Sequence, residues 1–329
     1  MHNYIKGRII MKKFFAVALA AAMTASLAAC GSSTTETTTA AAETEAAEST
    51  EETGGAEAIQ TVTPGKLTVA TSPDFAPYEF YAIDENGEPH LAGFDMSLAQ
   101  YIADYMGLEL EVIPMDFDGT IMELSQGNVD LGMAGYSPSP DREDIMDFSD
   151  IYISGGQSFV CLKDNADKFT SLEDTNKAEY TIGAQTGSIQ ADLAKRNSPD
   201  SDIIEMAKVT DIIAELLAGK MDGAYIETMV AESYAKNYPE LDIVLDVPYE
   251  AVGSVIGVNK GNAALLEAVN AAIKECKDSG EFDNYVFEAN ELASGDIVEG
   301  LIEDDAAADN AEAADAETAE TEAEETEAE

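Results

Sequence analysis

From residue 66 to residue 292, short apolar runs alternate with segments whose apolar residues recur every three or four positions. The first pattern is typical of buried strands and the second of helices that pack by one face. KLTVA, LELEVIPM and VDLGMAG are predicted strands of the first half, and YTIGAQ, DIIEM and DGAYIE of the second. This alternation predicts an α/β fold of two lobes, each a mostly parallel sheet flanked by helices. Ligands of such sheets bind beyond the carboxyl ends of the strands, so a cleft between the lobes is the expected site.

Residues that begin and end helices support this pattern. Asp95 is predicted to cap the helix whose apolar face includes Leu98 and Ile102, and Gly107 is predicted to end it. In the second half, Thr210 or Asp211 is predicted to cap the helix TDIIAELLAG.

Both ends of the chain lack this periodicity. Residues 31–65 carry seven Glu and no Lys or Arg, and residues 303–329 carry thirteen acidic residues and no basic ones. Such Ala-, Glu-, Thr- and Ser-rich sequence offers too little apolar surface to offset the entropy of ordering. We therefore predict a disordered acidic linker at 31–65 and a disordered acidic tail at 303–329.

The charge of the chain excludes several classes of partner. It has 65 acidic and 17 basic residues, a formal net charge of −48. No basic patch offsets this charge, so neither nucleic acid nor an anionic membrane surface is an expected partner. The 45 % of hydrophobic residues is nevertheless enough for real cores.

The beginning of the chain reads as an export signal. Residues 11–30, MKKFFAVALAAAMTASLAAC, contain two lysines followed by a short apolar stretch. The ending LAAC resembles the bacterial lipobox, in which cleavage precedes the cysteine and lipid is attached to its thiol. We predict a signal peptide at 1–30 with translation starting at Met11. Lipid on Cys30 would anchor the protein outside the cytoplasm, in the outer leaflet of the cell membrane or in the periplasm. The alternative is a plain signal peptide followed by a chance cysteine.

One basic residue lies in the acidic stretch AGYSPSPDREDIMDFSD, residues 134–150. Arg142 is one of three arginines in the chain, and a guanidinium presents paired donors that match a carboxylate. Arg142 can therefore bind an anionic ligand. It can instead form an exposed ion pair with Asp141, Glu143 or Asp144, worth about 0–1 kcal/mol.

Eight segments in order between Lys66 and Asn290 resemble one family, the extracellular solute-binding proteins (family 3) of amino-acid ABC importers. They are TSPDFAPYEF, GFDMSLA, PMDFDGTI, MAGYSPSPDRED, MDFSDIYISGG, IGAQTGS, DGAYIET and DSGEFDNYVFEAN.

The resemblance implies a type II periplasmic-binding-protein fold with the ligand between the lobes. Lobe one would comprise residues 66–154 and 256–292, and lobe two residues 157–252. It further implies a monomer without cofactor or metal that captures a free amino acid and delivers it to an ABC transporter permease.

The resemblance also implies which residues bind the amino-acid head group. Arg142 matches the arginine that binds the α-carboxylate, and Ser137 a residue that hydrogen-bonds the same head group. Gly135 lies where a backbone carbonyl accepts from the α-ammonium. Glu227 matches the carboxylate that pairs with the ammonium, although aspartate is commoner there.

Further positions would enclose the ligand. Phe75 and Phe117 match its apolar walls. Backbone N–H groups of Ser188, Ile189 and Gln190, at a predicted helix N-terminus, would bind its anionic end.

Two polar positions bear on the ligand side chain. Relatives that bind basic amino acids often carry Asp where this chain has Ser72, and Gln185 is also neutral. These residues predict a polar, uncharged amino acid as the ligand.

Three other functions remain open on the same fold. One is a cyclohexadienyl dehydratase-like enzyme, although no catalytic motif such as H-E-x-x-H or G-x-S-x-G is present. The others are a surface adhesin and a receptor that feeds a signalling partner.

Overall fold

The structure, a computed structural model, describes residues 59–84, 86–251 and 253–294. The predicted signal peptide with Cys30, most of the predicted linker and the whole predicted tail lie outside the described residues. Within the described ranges, no helix has the length and apolar character needed to cross a membrane.

The elements alternate along the chain as the periodicity predicts. The strands are β1 (Lys66–Thr71), β2 (Asp74–Phe75), β3 (Glu79–Ile83), β4 (Pro89–Ala92), β5 (Glu109–Pro114), β6 (Leu131–Gly132), β7 (Met146–Phe148), β8 (Gln157–Leu162), β9 (Thr181–Gln185), β10 (Asp202–Met206), β11 (Gly223–Glu227), β12 (Leu241–Val247) and β13 (Gly257–Asn259). The helices are α1 (Phe94–Met106), α2 (Phe117–Gln126), α3 (Ile189–Asn197), α4 (Val209–Leu217), α5 (Thr228–Asn237), α6 (Ala263–Ser279) and α7 (Glu281–Leu292), with short 3₁₀ turns at Pro140–Arg142, Lys163–Lys168 and Leu172–Thr175.

Two five-stranded sheets define two lobes. Lobe one is built on the sheet β5-β1-β6-β13-β7 with helices α1, α2, α6 and α7, and lobe two on the sheet β10-β9-β11-β8-β12 with α3, α4 and α5. The predicted two-lobed α/β fold is therefore confirmed. Each sheet contains more antiparallel strand pairs than predicted. Strand β13 is antiparallel to β6 and β7, and β8 is antiparallel to β11 and β12.

A third, small sheet extends lobe one toward lobe two. Its antiparallel order is β2-β3-β4, and Phe75 on β2 pairs with Glu79 on β3. Helix α1 begins directly after β4 at Gly93, where a Cβ would lie 2.0 Å from the Tyr78 carbonyl oxygen. Only glycine fits this close approach of two backbones.

The predicted cap of α1 is wrong. Asp95 lies inside the first turn, and its side chain is fully buried instead of closing the helix end. The helix ends as predicted at Gly107, which has φ 69° and donates to the Ala103 and Asp104 carbonyls.

The predicted cap of α4 is also wrong. Thr210 and Asp211 lie within the helix, which is preceded by Lys208 and shows no side-chain cap of its own. The N–H of Val209, the first residue of α4, instead donates to the carboxylate of Asp74 at 2.5 Å. A lobe-one carboxylate therefore supplies the acceptor at the start of a lobe-two helix.

The end of the predicted linker is bound to lobe one. The buried Asp130 carboxylate accepts from the N–H of Val62 at 2.7 Å, and from the N–H and hydroxyl of Thr68 at 2.8 and 2.6 Å. The Asn262 amide donates to the carbonyl of Gln60 at 2.8 Å. These contacts correct the predicted disorder for residues 59–65, since side chains of distant segments satisfy their backbone groups.

Candidate amino-acid-binding cleft

The predicted ligand residues gather where the two lobes face each other. Ser72 and Phe75 follow β1, Phe117 follows β5, and Ser188 follows β9. Glu227 is the last residue of β11. Because the carboxyl ends of parallel strands meet at one edge of a sheet, the topology brings these residues to the edges that border the cleft.

Arg142 is buried at this cleft, with 8 % of its surface exposed. Its Nη2 donates across the lobes to the carbonyl oxygen of Gly187 at 2.9 Å. Its guanidinium carbon lies 5.6 Å from the centroid of the Phe117 ring and 5.9 Å from that of Tyr136. The proposed exposed ion pair with its acidic neighbours is therefore wrong, because the side chain turns inward.

The electrostatics of Arg142 suit an anionic ligand. None of the ion pairs among the described residues involves Arg142. Burial lowers its pKa, but guanidinium remains charged in proteins. A buried cation without a carboxylate partner is costly, and an incoming carboxylate would relieve that cost.

Gly135 and Ser137 lie just before Arg142 in the chain. Gly135 has φ 57°, and a Cβ there would approach Cε1 of Phe75 to 2.6 Å. Its N–H donates to Oδ2 of Asp95 at 3.4 Å. Ser137 is 7 % exposed. Glycine at position 135 therefore allows the Phe75 ring to form one wall of the cleft.

The N-terminus of α3 faces Arg142 from lobe two. Ser188 caps this helix: its hydroxyl accepts from the N–H of Ala191 at 3.2 Å and donates to the Gln185 carbonyl at 2.7 Å. Ile189 and Gln190 form its first turn, where backbone N–H groups lack helical partners. The Gln190 side chain is engaged elsewhere, since it donates to Gln157 at 2.8 Å.

Glu227 is almost fully buried, with 2 % exposure. Its Oε2 accepts from the N–H of Val230 at 3.0 Å, which caps α5. Its Oε1 has no hydrogen-bond partner among the described residues. Burial raises the pKa of Glu227 to about 7. A Cβ at Gly155 would lie 2.7 Å from Oε1, so this oxygen is reachable only because residue 155 is glycine.

The side chains of Ser72 and Gln185 both contact the carboxylate of Asp74, a residue that the sequence analysis did not predict as part of the site. The Ser72 hydroxyl donates to Oδ1 of Asp74 at 2.8 Å, and the Gln185 amide donates to Oδ2 of Asp74 at 3.1 Å. Asp74 is 4 % exposed, and burial raises its pKa to about 6. The prediction of an uncharged ligand was based on Ser72 and Gln185, and both of these side chains contact a carboxylate.

The position of Asp74 in the sequence carried a usable signal. It lies two residues after Ser72 in TSPDFAP, directly past the carboxyl end of β1. Its side chain reaches Gln185 and the start of α4, both in lobe two. That reach depends on how the lobes meet, which the spacing of residues does not encode.

None of these side chains forms a metal site. Within the described ranges, no group of three His, Cys, Asp or Glu side chains is placed to hold a metal ion.

The fold and the cleft define a class of protein, the two-lobed binding protein that closes on a small ligand. Residues 67–286 match the profile of the bacterial extracellular solute-binding proteins, family 3. This match covers more than half of the chain, which therefore belongs to that family. The family description places such proteins outside the cytoplasm.

Two of the curated relatives are amino-acid-binding proteins. The arginine-binding extracellular protein ArtP of Bacillus subtilis is 35 % identical over 222 residues, covering 66 % of this chain and 83 % of that protein. A probable histidine-binding protein of Neisseria gonorrhoeae is 30 % identical over 70 % of this chain and 85 % of its own length.

A solved structure shows the same fold. The amino acid ABC transporter substrate-binding protein AbpA of Streptococcus pneumoniae, bound to L-arginine, is 32 % identical with a TM-score of 0.67. The match covers 70 % of this chain and 97 % of that one.

Proposed function

We propose that this protein captures a free amino acid between its lobes and delivers it to the permease of an ABC importer. The buried Arg142, without a carboxylate partner among the described residues, carries the proposal. Arg142 and Ser137 would bind the α-carboxylate, together with the first backbone N–H groups of α3. Glu227 Oε1 and the Gly135 carbonyl would accept from the α-ammonium. Phe75 and Phe117 would exclude water and so strengthen these contacts.

The ligand that we propose is arginine. Asp74 supports a cationic side chain, because its two oxygens accept three hydrogen bonds where a carboxylate offers about four acceptor sites. No ion pair among the described residues neutralises Asp74. The names of ArtP and of the arginine-bound AbpA agree with this choice. Glutamine is the second candidate, because Ser72 and Gln185 can hydrogen-bond an amide.

Isothermal titration of the protein, unfolded and refolded to remove carried-over ligand, tests this choice. Arginine should bind much more tightly than citrulline, its neutral near-isostere. In Asp74→Asn the arginine affinity should fall by about 30-fold, the equivalent of 2 kcal/mol, and the preference over citrulline should disappear. Asp211→Asn, an exposed change on α4, is the matched control and should bind as wild type.

The opposite result is equally informative. Equal affinity for arginine and citrulline, or tighter binding of glutamine, would exclude the cationic ligand. Absence of binding by every amino acid would exclude the receptor.

We further propose that Cys30 carries a lipid and that the protein acts as a monomer. The LAAC ending supports the first point. Labelled palmitate should enter the wild type, whereas Cys30→Ala should lose the label and appear in the medium. Light scattering should give the mass of one chain; the mass of two would exclude the monomer.

A dehydratase on this fold is the second candidate function. Cyclohexadienyl dehydratase of Pseudomonas aeruginosa is 27 % identical over 54 % of this chain and 65 % of its own length. The observation in its favour is Glu227, whose pKa of about 7 suits a proton-transfer group. Turnover of prephenate or arogenate by the purified protein, abolished in Glu227→Gln, would establish it.

A further inference from the structure

Two carboxyl groups outside the set of proposed ligand contacts are buried next to each other. Glu79 on β3 and Asp95 in the first turn of α1 are both 0 % exposed. Neither oxygen of Glu79 has a donor partner among the described residues, and neither does Oδ1 of Asp95. Their backbones are adjacent, since the N–H of Asp95 donates to the carbonyl of Tyr78, the residue before Glu79, at 2.9 Å, and the two side chains share a hydrogen bond. Two carboxylates in hydrogen-bonding contact repel each other strongly when both are charged. One proton must therefore lie between them.

The surroundings decide which group keeps the proton. Asp95 accepts at Oδ2 from the Tyr152 hydroxyl at 3.0 Å and from the N–H of Gly135 at 3.4 Å. Glu79 has no such donors. Hydrogen bonds to a charged carboxylate stabilise it, so Asp95 is the anion and Glu79 the acid.

The titration of the two groups agrees with this assignment. Burial and the charge of Asp95 raise the pKa of Glu79 well above its usual range. Burial raises the pKa of Asp95 to about 6, and the bond from Tyr152 opposes the rise. The other titratable groups that face the pair are Asp74, Tyr78, Tyr136 and Tyr152, and none of them can carry a positive charge that would stabilise two anions.

The pair is connected both to the cleft and to the crossing, the place near Ile153 and Ser254 where the chain passes from one lobe to the other. Gly135, held by Asp95, provides the carbonyl assigned above to the α-ammonium, so this step rests on the proposed function. Tyr152, also held by Asp95, donates its N–H to the Ser254 carbonyl at 3.0 Å, and Ile153 forms a bridge with Ser254. Glu79 itself is the strand partner of Phe75, one wall of the cleft.

We propose that Glu79 donates a hydrogen bond to the Asp95 carboxylate, and that this buried acid pair is a positioning device for ligand binding. It holds the Gly135 backbone at the cleft and Tyr152 at the crossing in the arrangement that binds the amino acid. Loss of the proton from Glu79 places two anions in contact, and the arrangement is lost.

Arginine titrations of wild type, Glu79→Gln and Glu79→Ala at pH 6 and pH 9 test this proposal. A glutamine amide donates to Asp95 without titrating, so Glu79→Gln should bind within about twofold of wild type at pH 6 and resist weakening at pH 9. Asp74 and Glu227 titrate in both proteins, so the ratio of the two affinities isolates Glu79. Relative to Glu79→Gln, wild type should weaken by tenfold or more between pH 6 and pH 9. Glu79→Ala should lose at least tenfold at both pH values. Glu267→Gln, an exposed change on α6, is the control and should follow wild type.

Thermal unfolding without ligand provides a readout independent of arginine. The folded pKa of Glu79 lies above its unfolded value, so the folded protein binds more protons between the two values and loses stability as pH rises there. Wild type should therefore lose melting temperature from pH 6 to pH 9, and Glu79→Gln should lose less.

Four results would separate the possible failures. A pH profile of Glu79→Gln that matches wild type in both affinity and melting temperature would overturn the proposal, as would wild-type affinity in a folded Glu79→Ala. If Glu79→Ala does not fold, the dependence of affinity and of melting temperature on pH in Glu79→Gln still tests the proposal. Wild type that binds no amino acid, but shows the predicted difference in melting profile, would overturn the proposed function and leave the proton assignment supported.

Discussion

At the scale of single residues, Arg142 combines high energetic cost with a clear role. It is a buried cation whose described partners are a carbonyl oxygen and two aromatic rings. Replacing buried charges with apolar side chains of similar size is often neutral or stabilising, because desolvation of the charge is avoided. The residue thus reduces the stability of the empty cleft and contributes to affinity when a carboxylate enters.

Arg142→Met should separate these two effects. Its affinity for arginine should fall by at least about 30-fold, since the α-carboxylate loses its charged partner. The free energy of unfolding of the empty protein should stay within about 1 kcal/mol of wild type or rise. Calorimetric binding and chemical denaturation measure the two quantities.

Arg196→Met is the matched control, because Arg196 is exposed on α3. It should leave affinity unchanged. A large loss of stability in Arg142→Met with affinity preserved would show that Arg142 is structural and that the carboxylate binds elsewhere.

At the scale of elements, the turn after β6 positions the head-group residues. Gly135 has a left-handed φ of 57°, and its missing Cβ leaves room for the Phe75 ring. A side chain in this conformation costs about 1–2 kcal/mol, and the contact with Phe75 adds to that cost.

Gly135→Ala and Gly107→Ala should therefore differ. Both residues have positive φ, but a Cβ at Gly107 meets no atom within 4 Å. Gly107→Ala should lose stability through backbone strain alone and keep its arginine affinity. Gly135→Ala should lose more stability in urea denaturation and also bind arginine more weakly. Equal losses in both variants would mean that the Phe75 ring moves aside freely.

The sequence predicts elements better than it predicts contacts between them. Periodicity located the helices and strands, and the end of α1 at Gly107 followed from glycine alone. The caps assigned to Asp95 and to Thr210 or Asp211 failed for one physical reason. Side chains near a helix start were assumed to serve that helix, whereas Asp95 serves Gly135 and Tyr152, and α4 uses Asp74 from the other lobe. Such contacts join segments that are distant along the chain, so the spacing of residues near a helix start does not predict them.

At the scale of the whole molecule, four of the buried carboxyl groups decide the dependence of stability on pH: Asp74, Glu79, Asp95 and Glu227. Burial raises the pKa of each. Each group therefore lowers stability as pH rises from its unfolded value toward its folded value. The net charge of −48 acts in the same direction, because like charges repel more as acids ionise. The empty protein should be more stable at pH 5 than at pH 8.

Between pH 5 and pH 7, ligand binding should show the reverse dependence on pH. Glu227 and Asp74 must be charged to pair with the ammonium and with the side chain of arginine, and their pKa values in the empty protein are about 7 and about 6. Arginine affinity should therefore fall as pH drops below 7, and fall more steeply below 6, where both groups take up protons. Citrulline lacks the side-chain charge, so its weaker affinity should depend on the protonation of Glu227 alone and keep the shallower slope against pH.

Calorimetry in buffers of different ionisation enthalpy should record protons released on binding at pH 6, more with arginine than with citrulline. A flat profile for arginine between pH 5 and pH 8 would mean that neither carboxyl group pairs with the ligand, and identical slopes for the two ligands would exclude Asp74 in particular.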